Sequence, residues 1–301
     1  MPIGAHVSIA GRVCDAIPRA AAIECECLQI FVGSPRRWRR VEYDRADVAE
    51  FRRRRARAGL DPLVAHASYL VNFATADPEL FRHSVDSLTH TVRGMEALGG
   101  FGAITHLGST LGAAWDECCD RVARALRTVL RRTSRTMVLL EGSAGGTIGG
   151  TFEQLREIID ATGGSERLGV CLDTAHLFAA GWDIRTPAGV AAMVDAFDRR
   201  VGLKRLRVLH FNDSKSALGS RLDRHENIGA GCIGRGGFRA VFGHRALRDL
   251  PGLIETPGFD RHGPDRRNIR TLKALRSAAR APGSARPAKF APRLVPAGSR
   301  Q

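Results

Sequence analysis

Six short apolar runs in succession each end in an imidazole or a carboxylate, and this regularity constrains the chain more than any other feature. His66 follows Leu63-Val64-Ala65, His106 follows Ala103-Ile104-Thr105, and Glu141 follows Val138-Leu139-Leu140. Asp173 follows Val170-Cys171-Leu172, His210 follows Arg207-Val208-Leu209, and Glu255 follows Leu253-Ile254. With Ile3 to Val7 and Leu28 to Val32 ahead of them, the 301 residues carry eight strand-like runs. Segments of helical spacing lie between: Ala46 to Ala58, Pro78 to Leu98, Trp115 to Leu130, Phe152 to Ile159, Pro187 to Val201 and Gly237 to Phe242. Strand and helix alternating in this way predict an α/β protein with parallel strands joined by right-handed crossovers. Eight such units close into a (β/α)8 TIM barrel, read here as one domain over residues 1–276. An open doubly wound sheet is the competing topology, but no Gly-x-Gly-x-x-Gly follows the first strand; Gly4 to Gly11 has the wrong spacing.

In a barrel the carboxyl ends of the strands converge on one face, so the six terminal groups are expected to share one mouth. A single His or Glu after a strand is more often a satisfied polar residue; six in a row point to a site. Two loops add candidates. His176 comes three residues after Asp173, and Asp223-Arg224-His225 sets a carboxylate and an imidazole two apart, as an extended loop needs if both are to face one ion. Imidazoles and carboxylates without thiolate suit Zn²⁺, with Mn²⁺ or Fe²⁺ open on ligand chemistry alone. Five histidines and four carboxylates are too many for one ion of four or five coordination and about right for three, with at least one bridging carboxylate.

The segments Gly4-Ala5-His6-Val7-Ser8, His66-Ala67-Ser68-Tyr69-Leu70, Cys171-Leu172-Asp173-Thr174-Ala175-His176, His210-Phe211-Asn212-Asp213-Ser214-Lys215, Gly219-Ser220-Arg221-Leu222-Asp223-Arg224-His225 and Leu253-Ile254-Glu255-Thr256-Pro257 resemble those of the endonuclease IV family of zinc-dependent apurinic/apyrimidinic endonucleases. The resemblance runs from about residue 3 to residue 276, and all nine metal-ligand positions of that family carry the same residue types. It implies His66, His106 and Glu141 on a first zinc ion, Glu141, Asp173, His210 and Glu255 on a second, and His176, Asp223 and His225 on a third. Glu141 would then be the bridge. The implied reaction is hydrolysis of the phosphodiester on the 5′ side of an abasic site in double-stranded DNA, leaving a 3′-hydroxyl and a 5′-deoxyribose phosphate. A hydroxide bridging the first two ions would attack, the third ion would stabilise the leaving 3′-oxygen, and Glu255 would help to orient or deprotonate the water.

The loop after the second strand, Ser34-Pro35-Arg36-Arg37-Trp38-Arg39-Arg40, sets basic residues around an aromatic, as a DNA backbone would require; a solvated basic turn with Trp38 packed on the rim is the plainer alternative. By resemblance Arg36 and Arg37 enter the duplex near the lesion, while Tyr69 and Leu70 fill the gap in the stack. An abasic nucleotide has no base to unstack, which makes its extrusion cheap. Several neighbours depart from the family's pattern. Leu107 stands where proline is usual, Gly142 for asparagine, Ala230 for glutamate, Ser34 for asparagine and Arg37 for glutamine. Lost neighbours of this kind lower metal affinity or rate by about 10- to 100-fold.

Lysine and arginine number 46 against 31 aspartates and glutamates, a net charge of +15 carried almost wholly by arginine. Such a field favours a polyanionic partner, although a genome biased toward arginine codons would produce the same surplus. Residues 277–301 shift to Ala, Pro, Arg, Ser and Gly without an acidic group and read as a disordered basic tail. Arg52 to Arg55 read as a solvated helix face. The seven cysteines form no C-x-x-C pair and fit buried packing in a reducing cytoplasm. No apolar stretch approaches membrane-spanning length, and the N-terminus lacks the pattern of a secretory signal. The resemblance also implies a monomer with no obligate protein partner. His6 is expected beside the ligands, with His83, His90, His244 and His262 in surface or structural roles. Two rival functions remain: a sugar isomerase or epimerase of the same barrel class, and a non-catalytic abasic-DNA-binding protein with structural zinc.

Overall fold

The computed structural model describes residues 1–38 and 40–279. Eight parallel strands close into a barrel: β1 (Ile3–His6), β2 (Cys27–Phe31), β3 (Leu63–His66), β4 (Gly102–Thr105), β5 (Met137–Glu141), β6 (Leu168–Asp173), β7 (Leu206–His210) and β10 (Gly252–Ile254). The order around the barrel follows the chain, β10 pairing with both β7 and β1 to complete the ring. The outer layer contains α1 (Ala16–Ala22), α2 (Arg45–Ala58), α3 (Pro78–Leu98), α4 (Trp115–Arg132), α5 (Phe152–Ala161), α7 (Pro187–Arg200), α8 (Gly234–Gly243) and α9 (Arg266–Ala279). Among the described residues no helix is long and apolar enough to cross a membrane.

The eight expected runs are the eight barrel strands, and β3, β5, β6 and β7 extend to include the terminal ligand. Helix signals missed the short α1, the last helix α9 and also α6 (Thr174–Ala179), which follows β6 without a loop. Capping is plain at α3: Asp77 accepts from the amides of Glu79 and Leu80 at 2.8 and 3.2 Å, and Pro78 occupies the first helical position. The last helix runs through Ser277 to Ala279, so the compositional boundary at residue 276 falls inside it. Residues 280–301 of the expected tail lie outside the described residues.

Side chains alternate between the two faces of each strand, so one row of every strand points into the barrel. The inner core holds Cys27, Val64, Ile104, Leu139, Cys171, Val208 and Leu253, with Phe101 and Met137. Two residues further along each of those first seven positions stand Gln29, His66, His106, Glu141, Asp173, His210 and Glu255. The barrel is therefore apolar in its lower layer and polar at its mouth, and strand parity alone aims the polar groups inward. Leu139 fills the inner layer where β-carbons at Gly102 and Gly169 would stand 2.9 and 2.8 Å from its methyls, so this close packing requires glycine on both flanking strands. The outer row, including Leu28, Leu63, Ala65, Leu140 and Leu172, belongs to the larger core that also contains the helices.

Between β7 and α8 the chain forms a small antiparallel hairpin, β8 (Asp213–Ser214) with β9 (His225–Glu226). Asp213 is fully buried and its carboxylate accepts from the amides of Ser214, Gly229, Gly231, Ile233 and Gly234. That acid serves the backbone and not the site. Asp213→Ala would strand those buried donors, and we expect it to lower the unfolding free energy by about 3 kcal/mol. Urea denaturation reads this directly; a loss below about 1 kcal/mol would show that the loop has other support.

Candidate metal centre

Glu141 ends β5 at the floor of the mouth, completely buried, and both of its oxygens have imidazole neighbours. Oε2 lies 3.0 Å from His66 Nε2 and 3.4 Å from His106 Nε2, while Oε1 lies 2.9 Å from His210 Nδ1. Asp173 ends β6, also fully buried, and its Oδ1 caps α6 by accepting from the amides of Ala175 and His176 at 2.6 and 3.2 Å. That cap is why the helix starts there. It brings His176 back over the mouth, while Oδ2 is left facing His210 at 3.7 Å and His225 at 3.6 Å. Asp223 stands on the hairpin loop, 3.1 Å from the Nε2 atoms of both His176 and His225.

The donor atoms fall into three groups, each within 4.8 Å: His66, His106 and Glu141; Glu141, Asp173, His210 and Glu255; and Asp173, His176 and His225. All nine residues singled out in the sequence meet at this mouth. Glu141 joins the first two groups, as expected for a bridge. Asp173 joins the second and third, a sharing that sequence reading did not foresee, and Asp223 flanks the third from the exposed side.

Ring orientation is set from outside the cluster. His66 Nδ1 donates to the Ala67 carbonyl at 2.8 Å and His176 Nδ1 to the Gly142 carbonyl at 2.9 Å, which leaves Nε2 of each for the centre. The Nε2 atoms of His176 and His225 are buried without a hydrogen bond, although each lies close to an Asp223 oxygen. Nitrogen lone pairs and carboxylate oxygens aimed at common points are what a divalent cation needs. Cys171 lies two residues before Asp173, in the inner layer of the barrel, and burial pushes its thiol up to about 12, so it offers no thiolate. The residues fit zinc held by nitrogen and oxygen donors.

In the ion-free protein, protons serve in place of cations. Burial opposes charge on every ring, yet Asp173 and Asp223 raise His176 to about 10 and His225 to about 9. His210 is also raised against burial, with Glu255 and Glu141 beside it, and His66 is raised by Glu141. His106 stays below its ordinary value because burial prevails. Glu141, Asp223 and Glu255 all resist burial and are held below the usual carboxylate range by the surrounding imidazoles.

Two residues missed in the sequence support the ligands. Gln29, inside β2, contacts His210, Glu255 and His6. Asn212 donates to Asp173 Oδ2 at 2.6 Å and accepts from the Glu255 amide at 2.8 Å. An amide inside the apolar run Cys27-Leu28-Gln29-Ile30-Phe31 was the signal available for Gln29. His6, expected beside the ligands, lies 3.2 Å from Glu255 Oε1.

The rim carries the expected nucleic-acid residues. Arg36 and Arg37 are exposed, as are Tyr69 at 53% and Leu70 at 36%. Pro35 accepts from the Tyr69 amide at 3.1 Å and the Ser68 hydroxyl at 2.8 Å, tying the two loops together. Tyr69, Leu70, His106, His176, Arg221 and Asp223 line part of a cavity of about 450 Å³ beside the cluster. Trp38 packs flat on His83, 5.3 Å between rings, which is the plainer role considered for it. Arg52 and Arg55 donate to the carbonyls of Glu96 and Gly99 on the α3 side, and Arg53 and Arg54 pair with Glu50 on their own helix.

Comparison with known proteins follows the same line. A family model described as a xylose isomerase-like TIM barrel matches residues 17–278. A protein named probable endonuclease 4 from Methanoculleus marisnigri is 41% identical over 280 residues, which span 92% of this chain and 99% of that one. The crystal structure of endonuclease IV from Thermus thermophilus superposes with a TM-score of 0.81 at 37% identity, covering 92% of this chain and 100% of that one. A D-tagatose 3-epimerase-like protein, 19% identical with a TM-score of 0.67, shares the fold.

The raised imidazoles set a pH signature. His176 and His225 bind protons more tightly in the folded ion-free state than at the unfolded value of 6.5, so their contribution is complete below 6.5 and lost as pH rises through about 9 and 10. The depressed carboxylates contribute above their unfolded values and lose that contribution as pH falls. After chelation, Tm should therefore be highest between about pH 5 and 6.5 and fall by several degrees toward pH 10. Zinc added in excess should abolish the alkaline fall, because cations then replace the protons. A chelated protein equally stable at pH 6 and pH 10 would contradict the geometry.

Proposed function

The chain belongs to the endonuclease IV family and is a nuclease of the hydrolase class, and from that premise we propose that it cuts double-stranded DNA at abasic sites. The cut is hydrolytic, 5′ to the lesion, and leaves a 3′-hydroxyl and a 5′-deoxyribose phosphate. The supporting observation is the set of three ligand groups linked through Glu141 and Asp173. His66, His106 and Glu141 would hold one zinc ion, Glu141, Asp173, His210 and Glu255 a second, and His176, Asp223 and His225 a third, with Asp173 close to the last pair. When bound, zinc supplies acidified water near neutral pH and positive charge for a phosphate.

The chain's own residues supply the rest. Glu141, shared between two groups, holds them in a fixed relation so that an attacking water and a scissile phosphate meet in one orientation. Glu255 keeps its carboxylate ionised and directs Oε2 toward His210 at 3.6 Å, where it can accept a hydrogen bond from the water and orient it. The buried floor excludes bulk solvent, which strengthens these interactions. Arg36 and Arg37 suit the DNA backbone, and Tyr69 with Leu70, aromatic and aliphatic on a pinned loop, suits the gap left by a missing base. The partner is thus damaged duplex DNA. Action as a monomer in the cytoplasm, without membrane or obligate protein partner, belongs to the same reading, as does a tail beyond the barrel domain.

A sugar isomerase shares the barrel class, but the third ligand group and the basic rim speak for a phosphodiester. The test is a duplex oligonucleotide with one tetrahydrofuran abasic analogue, incubated with and without chelator. We expect a single chelator-sensitive cut whose 3′ end a polymerase extends, and a loss of more than about 100-fold with Glu141→Gln. Tight binding without a cut would select the non-catalytic alternative, and neither binding nor cutting would return the sugar enzyme to consideration.

A further inference from the structure

A polar side chain inside a barrel strand costs free energy unless its donors and acceptors are matched. Gln29 is fully buried, one inward step above Cys27, and its carboxamide is matched entirely by the site. Its Oε1 lies 2.9 Å from His210 Nε2, and its Nε2 lies 2.5 Å from Glu255 Oε1 and 2.9 Å from His6 Nδ1. Only one orientation of the amide satisfies these contacts. Turned over, its oxygen would press against the Glu255 carboxylate with no proton between them. With the NH₂ on Glu255, the oxygen accepts the Nε2 proton of His210.

That hydrogen bond decides what His210 offers. Its Nδ1 faces the centre, 2.9 Å from Glu141, 3.6 Å from Glu255 and 3.7 Å from Asp173. The same amide engages Glu255 Oε1, which leaves Oε2 as the oxygen turned toward His210. His66 and His176 take their orientation from backbone carbonyls that no substitution removes. The orientation of His210 depends on a side chain.

We propose that Gln29 is a positioning residue for the second ligand group, selecting through one amide the nitrogen of His210 and the oxygen of Glu255 presented to an ion. The proposal rests on the three-ion reading above. Gln29 reaches from β2 to two ligands that the neighbouring strands β7 and β10 bring side by side to the centre. It should therefore act on one group and not on the cluster as a whole.

Cadmium-113 NMR of the full chain separates these effects, since each bound ion gives its own resonance. We compare the wild type with Gln29→Met, which keeps the volume and removes the amide, and with Gln29→Leu. The expected result is a selective loss: the resonance from the Glu141, Asp173, His210 and Glu255 group shifts and is stripped by a competing chelator at about 10- to 100-fold lower concentration. The resonance from the His176 and His225 group stays in place. Ion-free Tm, measured alongside, should change little for Gln29→Met. Equal weakening of all resonances, or none, would overturn the proposal while leaving the three-ion reading intact. A wild type that binds no cadmium would instead remove that reading, and the proposal with it.

Discussion

Everything at the mouth of this barrel follows from two carboxylates held in the dry. Glu141 and Asp173 are completely buried a short distance apart, and an unpaired anion in such a place is too costly to survive. The strands answer by bringing His66, His106 and His210 to the first, and α6 with the hairpin brings His176 and His225 to the second. Four of the five imidazoles can hold the negative charge as protonated rings, and all five can hand lone pairs to cations. The choice between protons and metal is therefore written into the packing, and the site is poised to exchange one for the other.

Strand parity explains how so much was legible in the sequence. An inward apolar residue followed two places later by a ligand is a local pattern, visible at Val64 and His66, Leu139 and Glu141, or Val208 and His210. The barrel then needs only closure to turn a list into a site. What could not be read depends on contacts between distant segments. Asp173 seemed a ligand of one ion, but its place at the start of α6 gives it two neighbours on different sides. Gln29 followed the same parity rule with an amide in place of an ionisable group and was passed over. Asp213, also an aspartate and equally buried, spends its oxygens on five backbone amides that no spacing rule brings together.

Three of the five departures from the family's usual residues stand where the main chain makes a hydrogen bond. Gly142 holds His176 through its carbonyl, and that bond needs no side chain. Leu107 is buried, and its carbonyl accepts from the Phe73 amide at 3.2 Å. The Ala230 amide donates to the Asn227 carbonyl at 2.9 Å. Of these contacts the Gly142 carbonyl touches a ligand directly, and its bond to His176 is kept whatever side chain stands at 142. Ser34 and Arg37 belong to the rim, where the Pro35 carbonyl fixes one loop to the other and the exposed Tyr69 and Leu70 stand beside the cavity.

Three cations are proposed to fill the points on which these ligand atoms converge. Anomalous diffraction at the zinc edge, on crystals of protein purified without chelator, locates such ions directly. Three peaks are expected in one mouth: beside His66 and His106, among His210 and Glu255, and between His176 and His225. No peak there, a lone peak, or zinc bound elsewhere on the surface would contradict that proposal.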